Sequence, residues 1–469
     1  MAGPRETGDT RLPLSPGQHL LDFLESIRPG GAAEAFNISL RLTIDGRLDL
    51  GRLLDAVAAA VGRHDALRVA VVRGRGMAEQ VIGVDIEPEA TVRRVSAGTS
   101  WAEPDIEALL AEHNNRPFDL TRPPLLRVLL LENASDRRWL LQVTVHHSVA
   151  DAWSLEVLAG DIGRYYRAAA GLEPRPPAPQ VNYARIVLDE LAALESAEAD
   201  AARAFWPEYL GSFEVLQSAG LGQAQPHGDP AITGRGDRSL RPSEIAAVRG
   251  LAGRLRATPF MVLAAAYGFI LGRLGGSESY LLPTFTHGRR DPRFHESVAM
   301  LFNPFLIKFD WSPGMSFAEL VATFKRNALP AYRFQWYPFI EVLEICPELS
   351  VSLIDPSSAL FPVQMLNVPK TARAEGLFGP DCVVAEYALH RTSVGNVLPI
   401  DGMLTIKGAP QALAMTFNAA QRLWSGELSA AMCATVVDLC LEAARDPEVE
   451  LGRLIDTVDR RFRSNIWSV

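Results

Sequence analysis

Cysteine is scarce in this sequence of 469 residues, and four cysteines occur in all. Their spacing matches no usual arrangement of metal ligands. Two of them lie seven residues apart in a predicted helix, so we expect both to be buried on one helix face as small apolar side chains. This composition fits a reducing compartment and predicts no metal site. The four residues are Cys346, Cys382, Cys433 and Cys440.

Long apolar runs are also absent. The longest, residues 260–271, is too short to cross a bilayer as a helix. The first ten residues are polar and lack the apolar stretch of a signal peptide. We therefore expect a cytoplasmic protein without a membrane partner.

Excess positive charge is missing as well. Lysine and arginine number 46 against 55 aspartates and glutamates, so the formal net charge is −9. This balance argues against nucleic acid as the main partner. The sequence also has no glycine-rich loop of the kind that cradles phosphate groups, and we expect no directly bound cofactor. At 48% hydrophobic and 22% charged residues, it describes a globular protein long enough for two lobes.

The most informative stretch is a strand that ends in two histidines. Side chains of a strand alternate between its faces, so the more apolar face of residues 139–147 ends with His147. An imidazole held there with one free nitrogen is able to act as a base near neutral pH. Asp151 follows four residues later, where the chain leaves the strand, and a helix is predicted to begin near Ser154. The alternative is that two adjacent histidines stand at a strand end by chance. The apolar row is Trp139, Leu141, Val143 and Val145.

The pattern His146-His147-x-x-x-Asp151 resembles the core motif of the condensation domains of nonribosomal peptide synthetases, which belong to the chloramphenicol-acetyltransferase-like superfamily. The family motif usually ends in Asp-Gly, whereas here Ala152 follows the aspartate. Other segments resemble the family in the same order and cover residues 11 to 460. They are Ser15-Pro-Gly-Gln18, Arg63-His-Asp-Ala-Leu-Arg68, Pro117-Phe-Asp-Leu120, Leu301-Phe-Asn303 and the strand segment 361–368.

The resemblance implies an α/β fold with two chloramphenicol-acetyltransferase-like lobes, arranged as a V-shaped pseudo-dimer around a central tunnel. Residues 171–179 contain four prolines and are the best linker candidate. We therefore predict an N-terminal lobe over residues 1–175, which carries the motif, and a C-terminal lobe over residues 180–469.

The resemblance also implies roles for individual residues. His147 is the expected catalytic residue, either as the base or as the group that orients the nucleophile, while His146 and Trp153 are expected to be structural. Asp151 is expected to pair with Arg289, or else with Arg68, and so to fix the loop that aims His147. For Arg289 the alternative is a solvated Arg-Arg pair in a turn.

Three further residues are candidates for lining the tunnel: Ala152, Asn303 and Gln364. Asn303 belongs to a segment that resembles the family's Gly-x-Phe-Val-Asn-Thr-x-x-x-Arg. Here Ala299 replaces its glycine, Pro304 its threonine and Lys308 its arginine. The methyl group of Ala152 either narrows the acceptor channel or has no effect if its φ is negative.

We therefore expect a free-standing, monomeric condensation enzyme. It is expected to transfer an acyl or aminoacyl thioester from the phosphopantetheine arm of a carrier protein to an amine or hydroxyl acceptor, either a small molecule or carrier-bound. Epimerisation of a tethered aminoacyl group and non-catalytic binding of carrier proteins are the alternatives, because fold alone does not fix function. The sequence does not decide between amide and ester products, nor does it identify donor or acceptor.

Overall fold

A computed structural model describes residues 10–27, 36–73, 78–83, 88–133, 135–217, 233–355, 357–366, 376–387, 400–409, 412–420 and 424–466. The chain divides into two compact units. The first contains residues 1–196, 287–302 and 368–390, and the second contains residues 197–286, 303–367 and 391–469. The division after residue 196 lies beyond the proline-rich segment 171–179, where the sequence placed the lobe boundary. The first unit also includes two later segments, residues 287–302 and 368–390, which the prediction placed in the C-terminal lobe.

The strands and helices follow one another in mixed order along the chain. The strands are β1 (Thr10–Pro13), β2 (Asn37–Gly46), β3 (Val69–Val72), β4 (Glu79–Ile82), β5 (Glu89–Arg94), β6 (Leu126–Asn133), β7 (Arg138–His146), β8 (Thr233–Ser239), β9 (Ser279–Thr286), β10 (Asn303–Asp310), β11 (Val363–Leu366), β12 (Cys382–Glu386), β13 (Gly402–Ala409) and β14 (Ala412–Ala420). The helices are α1 (Pro16–Ile27), α2 (Leu50–Arg63), α3 (Pro104–Asn115), α4 (Ala152–Ala169), α5 (Tyr183–Ala193), α6 (Ala197–Leu210), α7 (Pro242–Arg254), α8 (Pro259–Gly275), α9 (Phe317–Arg333), α10 (Phe339–Ile345), α11 (Pro347–Ile354), α12 (Gly426–Arg445) and α13 (Leu451–Ile466).

The first unit is built on a five-stranded sheet with the order β12-β2-β7-β6-β5. Its neighbours pair in antiparallel fashion except β5 and β6, which are parallel. A second, three-stranded sheet has the order β1-β4-β3. Strand β7 lies at the centre of the larger sheet, so both of its edges are hydrogen-bonded and its end is held in a fixed position.

Both faces of β7 are covered, and the alternation predicted from the sequence is present. Trp139, Leu141, Val143 and Val145 belong to the main core, which includes apolar residues of α2 and α4. Leu140, on the opposite face, belongs to a smaller cluster with Leu110 of α3. Because helices cover both faces, the two histidines that follow Val145 start from a rigid strand.

Two late segments of the chain complete the first unit. Strand β12 pairs with β2, and Leu377 and Phe378 just before it are buried in the main core. Residues 287–302 contribute Phe294, Val298 and Leu301 to the same core. The predicted lobes place both segments in the C-terminal lobe, because a contact between residues so far apart in sequence leaves no local signal.

The second unit contains a six-stranded sheet with the order β10-β9-β11-β13-β14-β8. Helix α8 is buried around most of its circumference, as its continuous apolar sequence predicts. Cys433 and Cys440 of α12 are fully buried, which confirms the burial predicted for these two cysteines from their spacing. Within the described parts of the chain, no helix is by itself long and apolar enough to span a membrane; the pair α7 and α8, bent by 96°, meets that test together.

Candidate active site

His146 is the last residue of β7, and its ring is enclosed by aromatic side chains. Phe36 and Phe118 contact it edge-on, with ring centroids 6.2 and 6.1 Å away. Its Nδ1 lies 2.8 Å from the hydroxyl oxygen of Ser148. Burial, with the neighbouring His147 and with Arg127, lowers the pKa of His146 to about 3. The side chain is therefore neutral and packed, and a structural role for it stays a prediction.

His147 follows directly, and its backbone fixes where the ring begins. Its N–H donates to the carbonyl oxygen of Phe36 over 2.6 Å, which extends the pairing of β7 and β2 by one residue. The Nδ1 atom is buried, while the side chain as a whole is half-buried. The ring of Phe302 lies against the imidazole, with centroids 4.8 Å apart and planes inclined at 35°.

The environment of His147 favours the neutral imidazole. Burial lowers its pKa below the ordinary value, while the Asp151 carboxylate and the backbone of His147 and Ala150 act in the opposite direction. A neutral ring at pH 7 is able to accept a proton or a hydrogen bond at one nitrogen. This is the protonation state that a base requires.

Asp151 is the N-cap of α4 and has an extended backbone conformation, with φ of −130° and ψ of −175°. Its Oδ1 accepts the N–H and the hydroxyl of Ser154 over 2.9 and 2.8 Å. A short polar side chain at this place satisfies N–H groups that have no partner inside the helix. The aspartate of the motif therefore caps the N-terminus of α4.

The same carboxylate forms a buried, bidentate ion pair with Arg289. The Nη1 and Nη2 atoms donate to Oδ2 and Oδ1 over 2.6 and 2.9 Å. The backbone N–H groups of Leu301 and Phe302 also donate to Oδ2, over 3.1 and 3.2 Å. Burial alone raises the pKa of the Asp151 carboxyl, but Arg289 and Ser154 outweigh it, and the pKa lies below its ordinary value. The residue is ionised.

Arg289 is fully enclosed, so the alternative of a solvated arginine pair does not apply to it. Its Nη1 also donates to the carbonyl oxygen of His287, and its Nη2 to the hydroxyl oxygen of Ser154 over 2.9 Å. Gly288 precedes it with φ of +68°, and a Cβ placed there would lie 1.6 Å from the carbonyl oxygen of Leu301. Only glycine fits this turn, and the turn directs Arg289 towards Asp151.

Trp153 packs over the ion pair. The guanidinium carbon of Arg289 lies 5.4 Å from the centre of its ring. The indole N–H donates to the carbonyl oxygen of His295 over 2.9 Å, and the rings of His287 and His295 lie 5.0 and 5.2 Å away. These contacts join Trp153 to Arg289, His287 and His295, and a structural role for it stays a prediction.

Arg68 does not bind Asp151, so the alternative prediction that these two residues form an ion pair is wrong. It pairs with Asp65 and donates to the carbonyl oxygen of Gly83 over 2.7 Å. The other arginine of that signature, Arg63, donates to the buried Asp161 over 3.0 Å, and His64 lies 2.7 Å from the same carboxylate. Because Asp161 belongs to α4, the signature fastens α2 to the helix that Asp151 caps. The signature therefore contacts the site only indirectly, through α4.

The three residues predicted to line a tunnel have different surroundings. Ala152 is exposed at the first position of α4 and is not among the described residues with positive φ, which favours the second of the two effects predicted for its methyl group. Asn303 donates to the carbonyl oxygens of Gln335 and Tyr337 and accepts from the N–H of Phe339, all over 2.9 Å. Gln364 donates to the hydroxyl of Thr405 over 3.0 Å. Asn303 thus fastens a loop to β10.

Several residues of the site were not identified from the sequence. Phe302 departs from the valine of the family segment quoted above, and that difference was a usable signal. Ser154 was seen only as a helix start. Glu190 of α5 gave no signal: burial raises its pKa to about 8, with Arg289 lowering it and Asp151 raising it further.

No group of three or more metal-binding side chains occurs within the described ranges. Cys346, Cys382, Cys433 and Cys440 are all free and buried. The site described above contains the imidazole of His147 and the ion pair of Asp151 and Arg289. An imidazole in this setting is able to accept a proton or a hydrogen bond.

Comparisons with known proteins give a consistent result. The family model described as the condensation domain matches residues 9–465. Phosphinothricin tripeptide synthetase PhsC of Streptomyces viridochromogenes is 31% identical over 349 residues, which are 72% of this chain and 31% of that protein. The chain thus spans less than a third of that relative's length.

Solved structures agree in fold. The crystal structure of the SgcC5 protein from Streptomyces globisporus is 25% identical, with a TM-score of 0.79 over 94% of this chain and 100% of that chain. The complex of the X-domain and OxyB from teicoplanin biosynthesis is 20% identical, with a TM-score of 0.75 over 97% of this chain and 96% of that chain. The predicted α/β fold class, that of the chloramphenicol-acetyltransferase-like proteins, is confirmed.

Proposed function

This chain belongs to the condensation-domain family, and from that premise we propose that it is an acyltransferase. The donor is an acyl or aminoacyl thioester on the phosphopantetheine arm of a carrier protein, and the acceptor is an amine or a hydroxyl group. The arm is part of the substrate and belongs to the partner protein. The observation that carries the proposal is the neutral imidazole of His147 at the end of a strand, four residues before Asp151, whose carboxylate is held by hydrogen bonds.

The reaction forms one bond and breaks another. The acceptor nitrogen or oxygen attacks the thioester carbon while Nε2 of His147 accepts the proton of the nucleophile. Nε2 is assigned this role because Nδ1 is buried. The tetrahedral intermediate then expels the thiolate of the arm, which takes up the proton held by His147 and so returns the imidazole to its neutral form. The products are an amide or ester and the free thiol of the carrier.

Asp151 acts through the backbone in this mechanism. Its carboxylate is occupied by Arg289, Ser154 and the N–H groups of residues 301 and 302. It therefore has little capacity left to bind substrate. It fixes the first turn of α4 and the backbone of Phe302, whose ring lies against the imidazole of His147.

A hydroxyl acceptor is a real option beside an amine. The SgcC5 structure is a complex with (R)-(−)-1-(2-naphthyl)-1,2-ethanediol and sucrose, and at 25% identity this supports including aromatic diols among the acceptors to be tested. An alcohol is the weaker nucleophile, so its reaction depends more strongly on proton removal by His147.

Intact-protein mass spectrometry tests the proposal. A carrier protein loaded with a candidate acyl group is incubated with the enzyme and with panels of amines and alcohols. We expect unloading that requires an acceptor and slows about 10²–10⁴-fold in a His147→Ala variant, the usual contribution of a positioned base. His113→Ala is the matched control, since it removes another histidine of the first unit and is expected to leave unloading intact.

A second candidate function is non-catalytic binding. The complex of the X-domain with OxyB shows the same fold in a protein–protein assembly. Carrier binding without unloading for any donor and acceptor supports this candidate and contradicts acyl transfer. Inversion of a tethered aminoacyl group, detected by chiral chromatography after its release, supports the epimerase alternative instead.

A further inference from the structure

The ring of Phe302 is the nearest aromatic neighbour of the imidazole of His147, with the ring centroids 4.8 Å apart. The planes are inclined at 35°, so the phenyl ring covers part of one face of the imidazole. Phe302 is half-buried and therefore keeps accessible surface. A molecule that reaches His147 meets this ring at the same time.

The position of the ring is set by the motif aspartate. The N–H of Phe302 donates to Oδ2 of Asp151 over 3.2 Å, and the preceding N–H of Leu301 donates to the same atom over 3.1 Å. Arg289 holds that oxygen from the other side over 2.6 Å. The buried ion pair therefore fixes the backbone at residues 301 and 302, and with it the point from which the Phe302 side chain extends towards His147.

The sequence makes the ring a particular feature of this chain. With Asn303 at the asparagine of the family segment Gly-x-Phe-Val-Asn-Thr, Phe302 occupies the valine position. A phenyl ring is larger and flatter than an isopropyl group. It fills volume beside the imidazole that valine leaves open.

We propose that Phe302 is a specificity-determining residue that restricts the acceptor to nucleophiles borne on an unbranched carbon. The inference rests on the proposed acyl transfer. A nucleophile must come within about 3 Å of Nε2 to give up its proton. At that distance a substituent on the carbon that bears the nucleophile contacts whatever flanks the imidazole. An amine or alcohol on an unbranched carbon passes the ring, whereas one on a branched carbon collides with it.

Two pairs of isomers test the restriction. The acceptors are 2-phenylethylamine against 1-phenylethylamine and 2-phenylethanol against 1-phenylethanol, each with the same loaded carrier. We expect the wild type to prefer the unbranched isomer of each pair. In Phe302→Val the relative kcat/KM of the branched isomer rises by about tenfold, the usual effect of a small change in pocket volume. Phe302→Trp shifts the preference in the opposite direction.

Phe118→Val is the matched control. It makes the same change in an aromatic residue that contacts His146 in place of His147. We expect it to keep the wild-type ratio of the two isomers whatever its overall rate. An unchanged ratio in Phe302→Val, with turnover measurable for both isomers, overturns the inference while leaving acyl transfer intact.

A readout without turnover separates this inference from the proposed function. Diethyl pyrocarbonate acylates neutral imidazoles, and peptide mapping reports the rate at His147 alone. We expect that rate to increase several-fold in Phe302→Val and to stay at the wild-type value in Phe118→Val. An equal rate in wild type and Phe302→Val shows that the ring does not restrict access, even if the enzyme transfers no acyl group.

Discussion

Asp151 has more partners than any role in direct proton transfer requires. Its carboxylate accepts from Arg289, from Ser154 and from two backbone N–H groups of residues 301 and 302. Ionised carboxylates make their strongest hydrogen bonds to charged donors, and the bidentate geometry adds orientation. The residue thus joins three separate parts of the first unit next to His147.

Breaking the ion pair is expected to destabilise the protein strongly. Arg289→Ala leaves the Asp151 charge buried without its partner, at a cost of roughly 3–5 kcal/mol in the free energy of unfolding. Urea denaturation of Asp151→Asn, Arg289→Ala and the double variant forms a thermodynamic cycle. We expect the double variant to lose less than the sum of the two single losses.

The exposed bidentate pair between Arg116 and Glu89 is the control for this cycle. Arg116→Ala is expected to cost at most about 1 kcal/mol, because water screens an exposed pair. Equal losses at the buried and the exposed arginine contradict the assignment of a structural role to Asp151.

The pH dependence of catalysis follows from the lowered pKa of His147. The base is active when neutral, so activity is lost only as the pH falls through the pKa of the folded protein. Since burial places that pKa below the ordinary value, we expect kcat/KM to be level at pH 7 and to decline only below about pH 6.5.

An alcohol acceptor is the right substrate for this pH profile, because its hydroxyl does not titrate in the range measured. An acid-side inflection at or above pH 7 shows that the imidazole is more exposed than its contacts indicate. The His147→Ala variant is expected to lack the inflection.

At the scale of the elements, the turn before Arg289 has to follow one path. Gly288 has φ of +68°, and any Cβ at this position meets the carbonyl of Leu301 at 1.6 Å. Leu301 is also one of the residues bound by Asp151. The glycine, the ion pair and the segment before β10 are therefore parts of one local arrangement.

Gly288→Ala is expected to lower the free energy of unfolding by about 2 kcal/mol or more, because both the backbone conformation and the contact are unfavourable. The matched control is Gly171→Ala, which has φ of +71° in the same unit but no atom within 4 Å of the added Cβ. For Gly171→Ala the loss in the free energy of unfolding comes only from the unfavourable backbone conformation. Denaturant unfolding of both variants measures the difference, and equal losses contradict the proposed contact.

The opening element also depends on a local arrangement. Ser15 and Gln18 form reciprocal hydrogen bonds between side chain and backbone at the start of α1, over 3.3 and 2.8 Å. The Gln18 amide then donates to Gln80 of β4, and Tyr183 of α5 donates to the same oxygen. The Ser-x-x-Gln segment thus caps a helix and connects it to two other elements.

At the scale of the whole molecule, buried histidines make stability depend on pH. Burial, with Arg127 and Arg116, lowers the pKa of His113 to about 4, and the pKa of His146 is about 3. In the unfolded chain both titrate near 6.5. Between these values the unfolded state binds more protons than the folded state, so stability rises with pH and is lost as the pH falls below about 6.5.

The His113→Gln variant tests this dependence. For one such group the loss in the free energy of unfolding between pH 7 and pH 5 is about 2 kcal/mol. We expect urea denaturation at pH 7, 6 and 5 to give a shallower slope for the variant than for the wild type. Identical slopes indicate that His113 takes up protons while the protein is folded.

Local patterns in the sequence were sufficient to predict the local features of this protein. The alternating faces of β7, the helix that starts after Asp151 and the apolar helix α8 follow from patterns within a few residues, since side-chain periodicity and capping are local. The family resemblance added the pairing of Asp151 with Arg289 and the importance of His147.

Contacts between residues far apart in the chain are visible only in the tertiary structure. Strand β12 pairs with β2, Asp161 binds the Arg63-His64 signature, and Phe302 lies on His147. Each of these contacts joins residues far apart in the chain, and its geometry is fixed by the packing of a whole unit. That packing leaves no signal in the residues next to it in sequence, so the local patterns did not identify the ring that lies against His147.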